Sequence, residues 1–345
     1  MINLFSDTQT KPSHAMRRAM AEAEVGDEQR RQDPTVIRLE EMTARMLGKE
    51  AGLFLPSGTM CNMIAIKAHT QPGDAILGDR MCHILRAELG GAAFHSGVTM
   101  DQIDGERGIF TAEQVEEGFK RVSYYSPPVT LVCVENTHNY GGGTVWPIKQ
   151  LREVGELAHR VNRKTHMDGA RLFNASVAAR VSAKDYADCV DSTWIDLSKG
   201  LGCPVGAVLV GTKAFIEKCR RLKHVFGGAM RQAGIIAAAG VYALEHNIER
   251  LAEDHANAKL LARSLSQISG IKLDPPGEPQ TNIIYFDTRG AGMTNTEFIE
   301  AMEQQDISMS AIGQFVRAVT HLDVSRPDCE RAMDVARQVV AGTSR

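Results

Sequence analysis

Short apolar runs alternate along this chain with longer stretches in which apolar residues recur every three or four positions. The runs predict buried strands at 52–55, 130–135, 166–168, 193–197 and 205–210. The periodic stretches predict one helix that begins at Asp33-Pro34, a second that begins near Thr59 and a third over 148–161. Strands that alternate with helices in this way indicate an α/β fold with a mostly parallel sheet.

The last third of the chain has a different pattern. A helical stretch from about 234 to 269 includes the charged residues 245–259 and predicts one long interdomain helix. A Pro/Gly cluster follows it, and then come strands at 283–286 and 316–320 and helices near 294–304 and 327–341. We therefore expect a large domain at 1–245, which includes the N-terminal segment, and a smaller C-terminal α+β domain at 246–345.

The composition of the chain is that of a globular protein and argues against nucleic-acid and membrane partners. The chain has 345 residues, of which 43% are hydrophobic, and its 39 Lys+Arg nearly balance its 42 Asp+Glu. Such a chain can bury a sizeable core but offers no electrostatic footprint for nucleic acid or for an anionic membrane surface. No apolar stretch approaches the roughly 18 residues of a membrane span, and Asp7 interrupts the region where a signal peptide would be apolar. We expect a soluble protein with neither a nucleic-acid nor a membrane partner.

Cysteine and histidine give no sign of a metal site. Seven cysteines are scattered without a C-x-x-C pair, and eleven histidines show no H-E-x-x-H pattern. We therefore predict no bound metal. Scattered free cysteines of this kind favour the cytoplasm, and each is better explained as a small buried hydrophobic residue than as a nucleophile.

Chemically active residue types follow the predicted strands, and ligands of open α/β sheets gather at the carboxyl ends of strands. The segment Ser57-Gly58-Thr59 stands between a strand and a helix, where first-turn N–H groups suit a phosphate. Asp168 ends another strand. Ser198 and Lys199 come directly after the next strand, and Lys199 is followed by glycines.

These three turns together predict a site for pyridoxal 5′-phosphate (PLP). A lysine that loses its proton in a desolvated pocket is the Schiff-base nucleophile that this cofactor requires. Asp168 would keep the pyridine nitrogen protonated, which makes the ring an electron sink. The phosphate would bind to Ser57-Gly58-Thr59 and to the Ser198 hydroxyl.

Nearly from end to end, the sequence resembles the low-specificity L-threonine aldolases, PLP-dependent enzymes of fold type I, the aspartate aminotransferase fold. The segments that carry the resemblance begin at Ser6, Leu55, His83, Glu135, Asp168, Leu197, Gly227 and Val319, and they read SDT, LPSGT, HILRAELGG, ENTHN, DGAR, LSKGLG, GGAMRQ and VTHLDV. So many matches in the right order are specific for the fold and the cofactor, and less specific for the substrate.

The resemblance implies a role for each matched residue toward the cofactor. Lys199 would bind it covalently, Asp168 would pair with the pyridinium, and His83 would stack on the ring face. Arg171 belongs to the same cofactor-binding set. Arg231 would join that set from a neighbouring subunit.

The resemblance also implies residues for the substrate. Arg171 and Arg317 would bind its carboxylate, since a guanidinium grips both carboxylate oxygens at once. Ser6 would orient that carboxylate. Either His83 or His138 would remove the β-hydroxyl proton, because histidine alone has an unperturbed pKa near neutrality.

The implied reaction cleaves the Cα–Cβ bond of L-threonine, L-allo-threonine or a similar β-hydroxy-α-amino acid, and it yields glycine and an aldehyde. The alternative is a PLP-dependent β-eliminating lyase or dehydratase that acts on a β-hydroxy amino acid such as hydroxyaspartate. A third class, a non-catalytic binding protein on the same fold, would not need Lys199, Asp168 and Arg171 together.

Two arginines depart from the family pattern. Arg30 and Arg31 stand where family members carry Tyr-Gly before an acidic residue and Asp33-Pro34. One interpretation is a solvated turn. The other is that, in an oligomer, Arg30 or Arg31 meets an anionic substrate side chain and favours hydroxyaspartate over threonine. The resemblance implies a homotetramer, a dimer of dimers, with active sites shared between subunits.

Overall fold

The computed structural model describes residues 1–120 and 123–343, so residues 344 and 345 of the expected C-terminal domain lie outside the described residues. The helices are α1 (His14–Ala21), α2 (Pro34–Met46), α3 (Gly58–His69), α4 (His83–Arg86), α5 (Gly91–Ser96), α6 (Ala112–Lys120), α7 (Ile148–Arg160), α8 (Leu172–Ala179), α9 (Ala183–Asp188), α10 (Lys213–Val225), α11 (Gly234–His246), α12 (Leu251–Leu265), α13 (Asn295–Glu303) and α14 (Arg326–Thr343).

The strands are β1 (Ile2–Asn3), β2 (Ala51–Leu55), β3 (Ala75–Asp79), β4 (Thr99–Ile103), β5 (Val129–Glu135), β6 (Lys164–Asp168), β7 (Ser192–Asp196), β8 (Ala207–Gly211), β9 (Lys272–Leu273), β10 (Ile283–Asp287), β11 (Ile307–Ser308), β12 (Ser310–Ile312) and β13 (Phe315–Val319). They form a large sheet, a smaller sheet and a short two-stranded pair within the described part of the chain.

The large sheet has the strand order β2-β8-β7-β6-β5-β3-β4. The four pairings from β7 to β4 are parallel, whereas β8 is antiparallel to both of its neighbours. The mostly parallel α/β sheet that the sequence predicts is therefore confirmed. Because β8 returns antiparallel beside β7, the two strands need only a short connection, and that connection carries Lys199.

Helices cover both faces of this sheet, which explains why its strands are almost continuously apolar. On one face α3 packs against a core that includes Leu53, Ile64 and Trp194. On the other face α2, α7 and α11 pack over the main core. The predicted strands and the helix over 148–161 are confirmed with shifts of one or two residues at their ends.

The C-terminal part has its own sheet, in the order β12-β13-β10-β9, with all pairings antiparallel. The helices α12, α13 and α14 contribute to its separate core, which contains Phe286 and Phe298. This matches the expected α+β character. The boundary at 245/246 stays a prediction.

The expectation of one long helix from 234 to 269 is wrong. The helix α11 ends at His246, and α12 begins at Leu251. Asn247 occupies the C-cap position, and its side-chain amide donates to the Leu201 carbonyl (2.8 Å). This contact draws Asn247 toward the loop after Lys199, and the chain resumes as a helix after a turn.

None of the described helices combines the length and the apolar content that a membrane span requires.

Candidate active site

Three carboxylates meet at the carboxyl edge of the large sheet. Glu135 ends β5, Asp168 ends β6 and Asp196 ends β7, and Glu135 lies directly opposite Asp168 in the parallel register. The loop after Asp196 brings Ser198 and Lys199 to the same edge. Sequence analysis expected the site at this edge, and the strand order brings Asp168 and Lys199 to neighbouring strand ends.

Asp168 is almost fully buried, with 1% of its surface exposed. Its Oδ1 accepts a hydrogen bond from the backbone N–H of Ala170 (3.1 Å). Its Oδ2 accepts one from Nδ2 of Asn62 (2.8 Å), a buried residue of α3. Two N–H donors thus fix the position of this buried carboxylate, as a partner for a pyridinium requires.

Asn62 also joins Asp168 to the residue expected to stack on the cofactor. Its Nδ2 donates a second hydrogen bond to Oε1 of Glu88 (2.7 Å), and the same oxygen lies 2.9 Å from Nδ1 of His83. Ligand atoms of His83, Glu88 and Asp168 all lie within 4.8 Å of one another. The structure therefore brings His83 to Asp168, as the resemblance implies.

The His83 side chain is one-third exposed, while Glu88 behind it is buried. The backbone N–H of His83 begins α4 and donates to Oε2 of Glu135 (2.7 Å), which fixes the start of that helix. Burial opposes protonation of the ring, but the hydrogen bond to Glu88 and the charges of Asp168 and Glu135 outweigh it and raise the pKa of His83. The Nδ1–H donated to Glu88 leaves Nε2 as the free basic nitrogen.

His138 has a different setting. It is 1% exposed, and its Nδ1 accepts a hydrogen bond from the backbone N–H of Gly141 (3.0 Å). The ring proton must therefore be on Nε2, which lies 3.4 Å from Oδ1 of Asp79. Burial opposes protonation, but Glu135 and Asp79 together raise the pKa of His138. A neutral His138 in this setting has no free nitrogen lone pair to act as a base.

Lys199 is 14% exposed along its side chain, and its Nζ lies 3.1 Å from Oδ2 of Asp196. The other oxygen of Asp196 accepts hydrogen bonds from the Ser198 hydroxyl and backbone N–H, each at 2.9 Å. The Nζ also lies 5.9 Å from the centre of the Trp194 ring. Asp196 and Trp194 thus hold the ammonium group in the cleft.

The expected phosphate-binding segment forms the N-terminus of α3. Ser57 is the N-cap, and its hydroxyl oxygen accepts from the backbone N–H of Met60 (3.2 Å). Gly58 and Thr59 precede that bond, so their N–H groups belong to the helix turn that has no intrahelical acceptor. A Cβ on Gly58 would lie 2.2 Å from the Trp194 ring, so only glycine lets this turn approach the sheet so closely.

Arg171 is already paired with an acidic side chain through two of its donors. Its Nε and Nη2 donate to the two carboxylate oxygens of Asp7, each at 2.7 Å, and both side chains are buried. Burial alone would raise the pKa of Asp7, but Arg171 outweighs burial and holds it well below its usual range. Ser6, next in the chain, is buried and caps the short turn at Asp7–Gln9.

Arg317 is a buried guanidinium that has a hydrogen-bond donor without an acceptor in the described part of the chain. It is 8% exposed, and its Nη2 donates to the side-chain oxygen of Asn139 (3.0 Å). Among the described residues its Nε–H has no hydrogen-bond partner, and no carboxylate forms an ion pair with it. Burial lowers the pKa of Arg317. A buried charge is costly when it is unpaired, so this guanidinium is a candidate site for binding an anion.

Three of the expected arginines lie at the surface of this chain. Arg31 pairs with Glu217 (3.1 Å) and Arg231 with Asp27 (2.9 Å), and both guanidinium-bearing side chains are about 60% exposed, at 59% and 63%. Arg30 is exposed in a short turn before Arg31. Their expected roles require a neighbouring subunit and stay predictions.

Sequence reasoning gave no role to four residues of this cluster: Asn62, Glu88, Asp7 and Asp196. Asn62 had the clearest signal, because it is the one polar residue in the stretch 60–66 of α3, beside Ile64 and Ile66. Asp7 and Glu88 lay inside the segments that carried the resemblance.

The donor set fits PLP. Asp168 offers a fixed buried anion, Lys199 offers an amine in the cleft, and α3 offers free first-turn N–H groups where Gly58 packs on Trp194. The unsatisfied Nε–H of Arg317 leaves a place for an added carboxylate.

Comparison with known proteins gives four findings. A family model described as β-eliminating lyase matches residues 3–289. A low-specificity L-threonine aldolase of Arabidopsis thaliana is 39% identical over 346 residues, which cover 98% of this chain and 96% of that protein. A low specificity L-threonine aldolase of Escherichia coli is 39% identical over 328 residues, covering 94% of this chain and 95% of that protein.

A solved structure of a threonine aldolase from Leishmania major shares the fold. It superposes with a TM-score of 0.85 at 20% identity and covers 99% of this chain and 100% of that chain.

Proposed function

This chain belongs to the β-eliminating lyase family, and from that premise we propose that it is an L-threonine aldolase, a PLP-dependent carbon–carbon lyase. It cleaves the Cα–Cβ bond of L-threonine, L-allo-threonine or a similar β-hydroxy-α-amino acid to glycine and an aldehyde. The observation that carries the proposal is the convergence of Lys199, Asp168 and His83 at one edge of the large sheet, together with a buried Arg317 whose Nε–H has no hydrogen-bond partner among the described residues.

When bound, PLP supplies an electron sink for the charge left at Cα after a substrate bond breaks. Lys199 would hold it covalently, and Asp168 would hold a proton at the pyridine nitrogen. Ser57, the N–H groups of Gly58 and Thr59, and Ser198 would hold its phosphate. The hydroxyl proton of Ser57 is available for this, because its oxygen already accepts from Met60.

Arg317 would bind the substrate carboxylate, because it is the buried guanidinium without an anion. A guanidinium has five N–H donors, and Asp7 accepts two of those of Arg171, so Arg171 keeps donors for the same carboxylate. Ser6, which stands next to Asp7, would help to orient the substrate carboxylate. These contacts with the carboxylate would set the orientation of the substrate. The orientation determines which bond at Cα faces the cofactor and is therefore the one that breaks.

We assign the base to His83 rather than His138. Glu88 accepts a hydrogen bond from Nδ1–H of His83, which leaves Nε2 free on a side chain that is one-third exposed. His138 is buried, and its Nδ1 lone pair is already used by Gly141. His83 would take the β-hydroxyl proton directly or through a water, and His138 would orient Asp79 and Glu135.

A homotetramer, a dimer of dimers with shared active sites, is also part of the proposal. Leu89 and Phe94 are 103% and 84% exposed, and His95 of α5 contacts Phe226 at the end of α10. Exposed apolar side chains beside the site support contact with a second copy. In that arrangement Arg231, Arg30 and Arg31 would reach a neighbour's site, and Arg30 or Arg31 would favour an anionic substrate side chain.

Seven buried free cysteines support a cytoplasmic location.

The proposal is tested with Lys199→Ala and Asp168→Ala. The Lys199 variant should lose both the visible absorption band of the covalently bound cofactor and aldehyde release from L-threonine. The Asp168 variant should keep the band, but its turnover rate should fall about a thousandfold or more, which corresponds to a rise of several kcal/mol in activation free energy. A Lys199 variant that still shows the band, or an Asp168 variant with an unchanged rate, would contradict these assignments.

A further inference from the structure

A chain of hydrogen bonds runs behind Asp168, away from the cleft. His69 Nε2 lies 2.8 Å from the hydroxyl of Ser192, and that hydroxyl lies 2.9 Å from Nδ1 of His166. Nε2 of His166 lies 3.1 Å from Oδ1 of Asn62, which in turn donates to Asp168. We call His69, Ser192, His166 and Asn62 the Asp168 relay.

The direction of every proton in the relay follows from its partners. Trp194 Nε1 can only donate, and it lies 2.7 Å from Oδ1 of Asn62, so that atom is the amide oxygen. His166 must therefore donate from Nε2. Burial, with His69 nearby, lowers the pKa of His166 to about 3, so the ring is neutral at ordinary pH and its Nδ1 accepts.

The remaining bonds then have one arrangement. The Ser192 hydroxyl donates to Nδ1 of His166, and its oxygen accepts from Nε2–H of His69, whose pKa burial lowers to about 4. Each group thus donates toward Asp168. The relay and Trp194 together hold the amide oxygen of Asn62 away from the two carboxylates that its nitrogen bridges.

We propose that His166 and Ser192 are positioning residues for Asp168: they lock the Asn62 amide so that its nitrogen always faces the Asp168 and Glu88 carboxylates. The inference rests on the proposed function of Asp168 as the partner of the pyridine nitrogen. A flipped amide would present its oxygen to both carboxylates, 2.7 and 2.8 Å from where its nitrogen now lies, and would repel them.

Through Asp168 the relay acts at the pyridine nitrogen, and through Glu88 it reaches His83, whose contact with the ring face is the same for PLP and for an analogue without that nitrogen. The relay holds in place the Asp168 carboxylate, which would meet the pyridine nitrogen. None of the relay's hydrogen bonds joins it to Ser57-Gly58-Thr59 or to Arg317. Loss of the relay should weaken the pyridine contact selectively. A purely structural role for His166 would weaken the binding of every cofactor analogue alike.

The experiment compares PLP with 1-deazapyridoxal 5′-phosphate, in which a carbon replaces the pyridine nitrogen. The dissociation constant of each is measured by absorbance for wild type, His166→Leu, His166→Gln and Ser192→Ala. Wild type should prefer PLP. His166→Leu should lose about tenfold of that preference, the scale of one hydrogen bond to a charged group, with little change in affinity for the analogue.

The variant His166→Gln should recover most of the preference, since its amide can accept from Ser192 and donate to Asn62. Ser192→Ala keeps the packing. Its preference for PLP over the analogue should also fall, but by less than in His166→Leu. His321→Leu is the matched control. That buried imidazole donates from Nε2 to the Asn3 carbonyl (2.8 Å) in the C-terminal part, and its loss should lower stability without changing the preference.

The outcomes separate the two claims. If wild type binds both compounds equally, Asp168 is not the partner of the pyridine nitrogen and the proposed function of that residue fails. If wild type prefers PLP and His166→Leu keeps the full preference, the relay has no positioning role. A His166→Gln variant that behaves like His166→Leu would also overturn the relay, because ring shape rather than hydrogen bonding would then matter.

Discussion

The pair His83 and Glu88 determines how the reaction should depend on pH. As the proposed base, His83 must be neutral to accept a proton, and its pKa lies above its ordinary value of 6.5 because Glu88, Asp168 and Glu135 outweigh burial. The rate should therefore rise with pH through that raised pKa. Glu88→Gln should move the acidic limb of the kcat/KM profile for L-threonine to lower pH.

Asp79→Asn is the matched control for that shift. Asp79 faces His138 as Glu88 faces His83, and it contributes to the raised pKa of His138. If His83 is the base, the Asp79 variant should leave the midpoint of the profile in place. A midpoint that moves with Asp79 and not with Glu88 would assign the base to His138 instead.

The Asp7–Arg171 ion pair is a second feature at the residue scale, and it affects stability. Both side chains are buried and joined by two hydrogen bonds, so Asp7→Asn leaves Arg171 an unpaired buried charge. We expect a loss of about 3–5 kcal/mol in the free energy of unfolding. Glu330→Gln, which breaks an exposed pair with Arg326 on α14, should cost less than about 0.5 kcal/mol.

The pH dependence of that loss has a definite sign. The folded-state pKa of Asp7 is lowered, so the pair contributes fully above the unfolded value of 3.8 and is lost as pH falls through the folded pKa. Denaturant unfolding of Asp7→Asn and wild type between pH 7 and about 3 checks this. The difference in free energy of unfolding between wild type and Asp7→Asn should shrink toward acid pH, and a difference that grew would contradict this explanation.

Among the elements, the N-terminus of α3 has two tasks, and a matched pair of variants separates them. Ser57 caps α3 and Ser13 caps α1, each through a backbone N–H at 3.2 Å, and both serines are exposed. Ser57→Ala and Ser13→Ala should each cost about 1 kcal/mol in stability. The change at Ser57 should also weaken PLP binding, as measured by titration of the apoprotein.

The phosphate is the expected reason for that difference. Pyridoxal, which lacks the phosphate, should bind Ser57→Ala and wild type equally well. Equal PLP affinity for the Ser57 and Ser13 variants would show that the segment is only a helix cap.

How far the elements could be predicted from the sequence depends on where they lie in the sheet. The central strand β5 is buried on both faces and reads as an apolar run, so its position was predictable. The edge strand β4 reads Thr-Met-Asp-Gln-Ile and is half exposed, which gives neither an apolar run nor a clear alternation. The break at Asn247 depends on Leu201, a contact that no local pattern records.

The same distinction holds for the site. Asp168 and Lys199 were predictable because each directly follows a strand, and the fold brings strand ends together. Asn62 and Asp7 act through partners 106 and 164 residues away, so their roles depend on the complete fold. The resemblance implied that Arg171 binds the substrate carboxylate, but it could not reveal that Asp7 already occupies two of its donors.

For the whole molecule, the exposed apolar side chains beside the site predict assembly. Phe94→Asp should place a charge in the proposed contact between copies and lower the molar mass measured by light scattering. Tyr125→Asp is the control, because Tyr125 is equally exposed, at 92%, but precedes β5 at the amino edge of the sheet. An unchanged mass for Phe94→Asp would remove that surface from the proposed interface.

The central claim is that this protein breaks Cα–Cβ rather than eliminating the β-hydroxyl. The direct measurement is the product ratio from L-threonine with the PLP-loaded enzyme: glycine and acetaldehyde against 2-oxobutanoate and ammonia. We predict glycine and acetaldehyde in equal amounts, with both absent in Lys199→Ala. Ammonia and 2-oxobutanoate as the main products would contradict the account and identify an eliminating lyase on the same fold.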